Sequence, residues 1–447
     1  SDVYEEIIPS IGDKYPYPVK ALFFYMGSPP YALPAGHTNI EILADVQKLP
    51  LFIANDIIVG SASMYADYIF PDLSFLERWE FHGSHPNIPH KVQPIRQPVI
   101  APIPEECTVF GQKLPLSFEA MIFGIAEYLK LPGFGPGGLG ADKNGQPLDL
   151  NHPDDFYLRA VANLAWGDQP DGSAAVPDAA DEEVEIFLKA RRHLPQSVFD
   201  AARWNRIVGE NLWRKVVYVL NRGGRFEAFE KAFSDTHHTH AFKGLLNIYQ
   251  EKTATTMHSG TGEPHPGFAR YIPVRDYLGR EPSELQKGYE FHLITHRVIS
   301  QTKSRTIVDP WLTPLLPENV LLINPRDLAK LGLKSGQRVR IVSATNPQGE
   351  WDFKNGTRRA VIAKLHATET IRPGIVSFAL GFGHWATGSS DIEIDGHIVR
   401  GEARRKAGFH ANAVMWVDPA LKNTCMLDPV GGSVSFYDTY VRLEPIG

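Results

Sequence analysis

The densest concentration of groups able to hold an anion lies in Phe291 to Thr306, FHLITHRVISQTKSRT, where an apolar run enters a segment rich in cations and hydroxyls and free of acids. His296, Arg297, Lys303 and Arg305 carry or can carry positive charge, and Thr295, Ser300, Gln301, Thr302 and Ser304 add hydroxyl and amide groups. Such a set can grip phosphate oxygens and the edge of a polar heterocycle together. A solvated basic loop would have the same composition. A second candidate is GFGHWATGSS, Gly381 to Ser390. Gly381, Gly383 and Gly388 would let backbone N–H groups approach a ligand, with His384 as a hydrogen-bonding ring and Trp385 as a stacking face. The alternative is a tight turn in which Trp385 anchors the core beside a satisfied His384. A third is Asp56, the carboxylate that ends LFIAND. At the carboxyl end of a strand it can accept paired hydrogen bonds from a donor edge such as that of guanine, or cap the next turn.

Other motifs carry less. Gly133 to Gly138 spells G-x-G-x-x-G, but it follows a helical pattern and leads into a Gly/Asn/Pro loop, the reverse of the dinucleotide-binding context. THHTH (Thr236 to His240) and the trio His82, His85 and His90 have no acidic or cysteine partner at ligand spacing and read as surface histidines. The two cysteines, Cys107 and Cys425, form no local metal motif, so no metal ligand set is expected in this chain.

The elements that would position these groups are readable at both ends. VKALFFYMG and LFIAND read as buried parallel strands joined through HTNIEILADVQKLP, a helix with capping-box spacing at Thr38 and Glu41, one apolar face at Ile40, Leu43 and Val46, and a stop at Pro50. Leu116 to Leu131, Asp154 to Trp166 and Asp181 to His193 read as helices, and Asn211 to Gly223 fits helix or strand. Asn324 as N-cap, Pro325 at the first position, Asp327 in the first turn and Gly332 at the end predict a helix. QRVRIVSA, RRAVIAKLHAT, GIVSFALGFG and YVRLEPI supply short strands and predict a β-barrel.

The blocks Phe291 to Thr306, INPRDLAKLGLKSGQRVRIVSA, GFGHWATG and GGSVSFYDTYVRLEP, with YADYIFPD near the other end, resemble the molybdopterin oxidoreductases of the dimethyl sulfoxide reductase family. The combination looks most like the tetrathionate-reducing branch, with arsenate, selenate and thiosulfate reducers as neighbours. The resemblance implies α/β plus β architecture: part of a Rossmann-like α/β lobe with helical insertions, then a C-terminal double-psi β-barrel. It divides the chain into 1–110, part of a molybdopterin-guanine-dinucleotide-binding α/β domain; 111–288, a helical elaboration; and 289–447, the dinucleotide-binding barrel.

The cofactor contacts it implies are Gly27, Ser28, Asp56, Thr295, Arg297, Gln301, Thr302, Ser304, Arg305, Gly383, His384, Trp385 and Asn412. Ser28 replaces the family's loop Asn, and Tyr437 stands where many members have Lys. Arg305, Lys303 and His384 are the candidates for drawing an anionic substrate towards the metal. The implied cofactor is molybdenum held by two molybdopterin guanine dinucleotides, with an iron–sulfur cluster and the metal ligand expected in an N-terminal half of the subunit outside this sequence. The implied reaction is two-electron reduction of a sulfur oxyanion such as tetrathionate to thiosulfate in anaerobic respiration. A non-catalytic cofactor-binding fragment or subunit is the other reading. Implied partners are a membrane-anchor subunit on the extracytoplasmic or periplasmic face together with an iron–sulfur electron-transfer subunit. Basic residues (45) do not outnumber acidic ones (51), which argues against a nucleic-acid partner.

Overall fold

The apolar runs that end at Tyr25 and Asp56 lie side by side in the computed structural model, which describes residues 4–83, 88–102, 105–142, 144–242, 244–303 and 306–446. Strand β1 (Leu22–Tyr25) pairs in parallel with β2 (Phe52–Asp56), Leu22 opposite Phe52 and Tyr25 opposite Asn55, and β3 (Tyr68–Pro71) flanks β2 on its other side. Parallel neighbours need a crossover, supplied here by helices α2 (Pro29–Ala32) and α3 (His37–Leu43), with α1 (Ile7–Asp13) preceding β1. Ile8, Ile11, Ile42, Leu43, Phe52 and Ala54 form the local core.

Three details differ from the sequence reading. β1 is an edge strand rather than a buried one, with Phe23 47% and Tyr25 42% exposed. Gly36, not Thr38, occupies the N-cap position of α3, and the Thr38 hydroxyl donates to the carbonyls of Ala35 (3.0 Å) and Asn423 (2.8 Å), so no capping box forms. The helix then stops at Leu43, which leaves Val46 in an exposed turn instead of on an apolar face.

The chain leaves this region at residue 69 and returns at 246, so it folds as two compact units, 1–69 with 246–447, and 70–245. The structural boundaries thus fall at 69/70 and 245/246, whereas the sequence blocks meet at 110/111 and 288/289. In the second unit, helices Pro153–Trp166, Asp181–Arg191, Ala201–Val208 and Glu210–Asn221 pack through Leu158, Val161, Phe187, Trp204, Val216 and Val217. The ambiguous segment after Asn211 is therefore helical, its valines buried at helical spacing. Buried Asp154 accepts from the indoles of Trp79 (2.9 Å) and Trp204 (2.7 Å) and from Arg203 (2.6 Å), which satisfies a carboxylate that would be costly alone. Gly133 to Gly138 is a loop bridged to Leu150.

In the first unit the C-terminal strands close into a barrel. They are β4 (Phe291–His296), β5 (Leu321–Ile323), β6 (Arg338–Ser343), β7 (Ile362–Ala367), β8 (Ile375–Ala379) and β9 (Tyr440–Pro445), in the order β4-β8-β5-β7-β6-β9. The pairs β4/β8 and β5/β7 are parallel and the other four are antiparallel. Alternation drives the closure: Leu293, Leu321, Val339, Ile341, Ala363, Val376, Phe378 and Val441 all turn inward and are fully buried. Helix α4 (Pro325–Leu331) forms as its sequence predicts. Asn324 Oδ1 accepts from the N–H of Arg326, Pro325 opens the first turn, and Gly332 ends the helix in the left-handed region at φ 66°. Asn324 Nδ2 also donates to the carbonyl of Ile371 at 2.7 Å.

Among the described residues no helix is long and apolar enough to cross a membrane, and Cys107 and Cys425 are both free thiols. Asn324→Ala removes a cap and a buried hydrogen bond together. It should cost about 1–2 kcal/mol, read as a lowered denaturant midpoint with an unchanged slope.

Candidate cofactor-binding site

Because β4 and β8 are parallel neighbours, with His296 opposite Ala379, the segments that follow them leave the barrel at the same end. They then touch through backbone. Gly381 has φ 95°, and a Cβ placed on it would lie 2.5 Å from Lys303 Cα, so this contact needs glycine twice over. On the first segment Thr295 and Gln301 are buried while Arg297, Thr302 and Lys303 are exposed, and Ser304 and Arg305 lie outside the described residues. Gln301 Oε1 accepts from the Thr306 hydroxyl at 2.7 Å, leaving its buried Nε2 without a partner among the described residues. His296 Nδ1 meets the Ser377 hydroxyl at 2.7 Å, and burial lowers its pKa. Partial burial, then the charge of Arg297, lowers that of Lys303.

The carboxyl ends of β1 and β2 form the second part. Asp56 accepts from the N–H of Ile57 at 2.9 Å and from the Ser63 hydroxyl at 2.8 Å, so it caps the following turn. Ser63 Oγ in turn accepts from the N–H of Gly60 at 2.7 Å. A Cβ on Gly60 would sit 3.1 Å from Asp56 Oδ2 and 3.6 Å from Ser28 Oγ, which places Ser28, next to Gly27, beside Asp56. The N–H of Thr387 donates to the carbonyl of Val59 at 2.8 Å. Through that bond the glycine-rich segment spans both parts.

The third part is aromatic. Tyr31 is sandwiched between His384 (centroids 4.1 Å apart, 15° between planes) and His410 (3.9 Å, 11°), and all three are buried. Tyr31 donates through its hydroxyl to the carbonyl of Phe382 at 2.7 Å, and His410 Nε2 lies 2.7 Å from the carbonyl of Tyr31. A carbonyl only accepts, so His410 carries its proton on Nε2 and presents a lone pair at Nδ1. Burial pushes both imidazoles down to about 3, leaving them neutral. Trp385 packs on Trp351 and Phe353 at 4.5 and 5.0 Å. His384 and Trp385 are thus core residues, in keeping with the packing alternative. Asn412 Nδ2 donates to the carbonyls of Tyr31 and Ala32, both at 3.0 Å.

Two residues that the sequence motifs do not single out hold these loops. Arg359 donates to the carbonyls of Gly383 and His384 (2.9 Å each), Lys406 (2.8 Å) and Gly408 (3.4 Å). Asn319 donates to the carbonyls of Ala379 (2.7 Å) and Phe409 (3.0 Å) and accepts from the N–H of Phe409 at 2.9 Å. Tyr31 and His410 likewise emerge only from the fold, and no local spacing marks either one. The histidines of THHTH are elsewhere: His237 and His238 lie on an exposed strand and His240 meets Glu227 at 2.7 Å. His82 and His90 belong to the second unit, and His85 lies outside the described residues.

The loops retain buried polar atoms without partners among the described residues: the donors Gln301 Nε2 and Trp385 Nε1, the ring nitrogens His384 Nε2 and His410 Nδ1, and the oxygens Asn412 Oδ1 and Ser389 Oγ. Each such atom costs roughly 1–3 kcal/mol, and their accumulation on one set of loops calls for a ligand with both donors and acceptors. A pterin or guanine heterocycle has that character, so the residues fit the dinucleotide. Among the described residues no group of three His, Cys, Asp or Glu side chains could hold a metal ion.

Residues 291–426, which contain most of these loops, match the family described as Molydopterin dinucleotide binding domain. The chain belongs to the molybdopterin oxidoreductases of the dimethyl sulfoxide reductase family. It is 41% identical to a selenate reductase subunit of Mesobacillus selenatarsenatis over 446 residues, covering 100% of this chain and 42% of that protein. It is 31% identical to a tetrathionate reductase subunit of Salmonella typhimurium, covering 99% of this chain and 41% of that one. The chain therefore spans about two fifths of the length of these relatives. Acetylene hydratase from Pelobacter acetylenicus shares the fold, with a TM-score of 0.53 at 15% identity over 98% of this chain and 46% of that one. The cofactor that the residues of this chain fit is molybdenum with molybdopterin guanine dinucleotide.

The imidazoles make stability depend on pH. His384 and His410 have folded pKa values of about 3 against an ordinary 6.5, so below pH 6.5 the unfolded chain binds protons that the folded one refuses. Stability is complete above pH 6.5 and falls with acidification, by about 2 kcal/mol per imidazole between pH 7 and pH 5. Denaturant titrations at the two pH values should show this, and His410→Gln should remove about half of that contribution. Gly381→Ala should cost more than the ~1 kcal/mol of ordinary glycine-to-alanine strain and empty the site, read as molybdenum and guanine nucleotide per chain.

Proposed function

We propose that this chain is the cofactor-binding C-terminal part of the catalytic subunit of a molybdenum-dependent oxyanion reductase, with selenate as its substrate. The observation that carries this is the 41% identity, along the whole chain, to a selenate reductase subunit, together with the buried polar atoms that fit the dinucleotide. Tetrathionate, towards which the sequence motifs lean, is the second reading, supported by 31% identity to a tetrathionate reductase subunit.

The bound cofactor supplies the two-electron chemistry. The chain positions it. Gly381 and Gly383 admit close backbone approach, the stack of His384, Tyr31 and His410 stiffens the loops, and the buried donors and acceptors orient the heterocycles. Neutral, buried His384 presents a lone pair and no charge, so it does not serve as the substrate-attracting cation that its sequence position suggested. Exposed Lys303 takes that role, its charge raising the local concentration of a dianion.

The same reading takes two dinucleotides per molybdenum, an extracytoplasmic location, and as partners a membrane-anchor subunit together with an iron–sulfur electron-transfer subunit. The two parallel strand pairs support a double-psi barrel, and the parallel β1/β2 pair with its crossover helices supports a Rossmann-like lobe.

The test is steady-state reduction by the native molybdenum-containing protein with a reduced viologen as electron donor. Selenate reduction to selenite and water takes up two protons with two electrons, whereas tetrathionate cleavage to two thiosulfates takes up none. Selenate should give the larger kcat/KM together with proton uptake. Faster tetrathionate turnover would select the second reading, and loaded protein that reduces neither would end both. Lys303→Gln should raise KM for the oxyanion about tenfold at unchanged molybdenum content, the loss of one charge-assisted contact.

A further inference from the structure

A cavity of about 250 Å³ opens in the first unit between the barrel wall and the segment 406–409, lined by Glu318, Asn319, Arg338, Arg359, Lys364 and Lys406 among others. Its charges do not balance. Glu318 is taken by Lys364 at 3.1 Å, while among the described residues Arg338 and Lys406 form no ion pair within 4 Å, the charge of Lys406 reaching only the exposed Asp391 from farther off. Arg359 spends its hydrogen bonds on four neutral carbonyls, which satisfy its donors but leave its charge unanswered. Three cations outside any close ion pair thus face one concave space.

The cavity of similar size in the second unit shows the contrast. There two of the three wall arginines are ion-paired, Arg159 lying 3.6 Å from Asp155 and Arg203 lying 2.6 Å from Asp154, and Arg206 is the exception. At about 250 Å³ the first cavity is also smaller than the roughly 300–1,000 Å³ of pockets that take drug-sized organic ligands. Guanidinium and ammonium groups converging on a small polar space are the donors that oxygen anions use.

We propose that this cavity is a binding site for a free divalent tetrahedral oxyanion, bridging Arg338 on β6 and Lys406 in the loop, with the charge of Arg359 behind it. Arg338 and Lys364 are cross-strand partners, so the barrel side of the site is rigid, whereas Lys406 lies in the loop that Arg359 clamps. An anion between them would draw that loop onto the barrel. Since Arg359 also holds the carbonyls of Gly383 and His384, occupancy would steady the cofactor-facing loop as well. The site needs no redox step, and its existence does not depend on which oxyanion is reduced.

Sulfate is the probe, because its charge and shape are right and it is not reduced. Isothermal titration of the native protein with sodium sulfate, at ionic strength held constant with chloride, should show saturable binding. Lys406→Gln and Arg338→Gln should each weaken it about tenfold, the loss of one charge-assisted hydrogen bond, while Lys330→Gln, an exposed cation outside the cavity, should not. Equal weakening in all three variants, or no saturable binding, would reduce the cavity to general charge screening and overturn the proposal. Guanosine monophosphate binding that shares these residues while sulfate fails would give the cavity to a nucleotide phosphate and would also overturn it.

Discussion

The loop end of the barrel depends on one guanidinium. Arg359 sits on a short strand beside the barrel and collects four carbonyls from two segments that are otherwise joined by little regular structure. Loops that run through a core bring carbonyls with them, and a buried carbonyl without a donor is expensive. Arginine resolves this because its planar fork offers five N–H groups at fixed angles, and its charge does not titrate away. Burial lowers its pKa, but from so high a starting point that the cation persists. The sandwich of His384, Tyr31 and His410 is assembled on that frame, since His384 belongs to one clamped segment and His410 follows the other closely.

A second constraint is the parallel pairing of β4 with β8. It sends the segment with Gln301 and Lys303 and the segment with Gly381 to His384 out of the same end of the barrel, although about eighty residues separate them. Gly381 then settles their distance: with no Cβ it lets the two backbones meet. Function at this site therefore rests on topology first, on one glycine second, and on the polar groups of the loops third.

Much of this is legible in the sequence. RVRI alternates, and Val339 and Ile341 turn inward as period two requires, although Val342 and Ser343 after them are buried as well; Asn324, Pro325 and Gly332 mark both ends of a helix by side-chain chemistry alone. The polar loops are recognisable by composition, because a run of cations and hydroxyls without acids is unusual beside an apolar strand. Arg359 is not, being one of two adjacent arginines whose difference lies only in which side of a strand each faces. The Tyr31 stack joins residues about 350 positions apart, and no local pattern encodes such a contact. Thr38 has the spacing of a capping box, yet its hydroxyl finds the carbonyl of Asn423, a partner that only the folded chain provides. The division into units is hidden for the same reason, since the chain leaves the first unit and comes back to it.

That return has a consequence for how the protein is made. Strand β9 lies between β4 and β6 and closes the ring, and it is formed by residues 440–445. During synthesis the other five strands emerge before the one that seals them, so β4 and β6 carry unpaired edges until translation has passed the last strand. The α/β segment that Tyr31 belongs to is made earlier still, and waits for partners almost four hundred residues downstream, while the helical unit can complete itself in between. Assembly of the cofactor-binding unit is therefore a late and non-local event, slow by its contact order and exposed to strand-to-strand association until the sealing strand is in place.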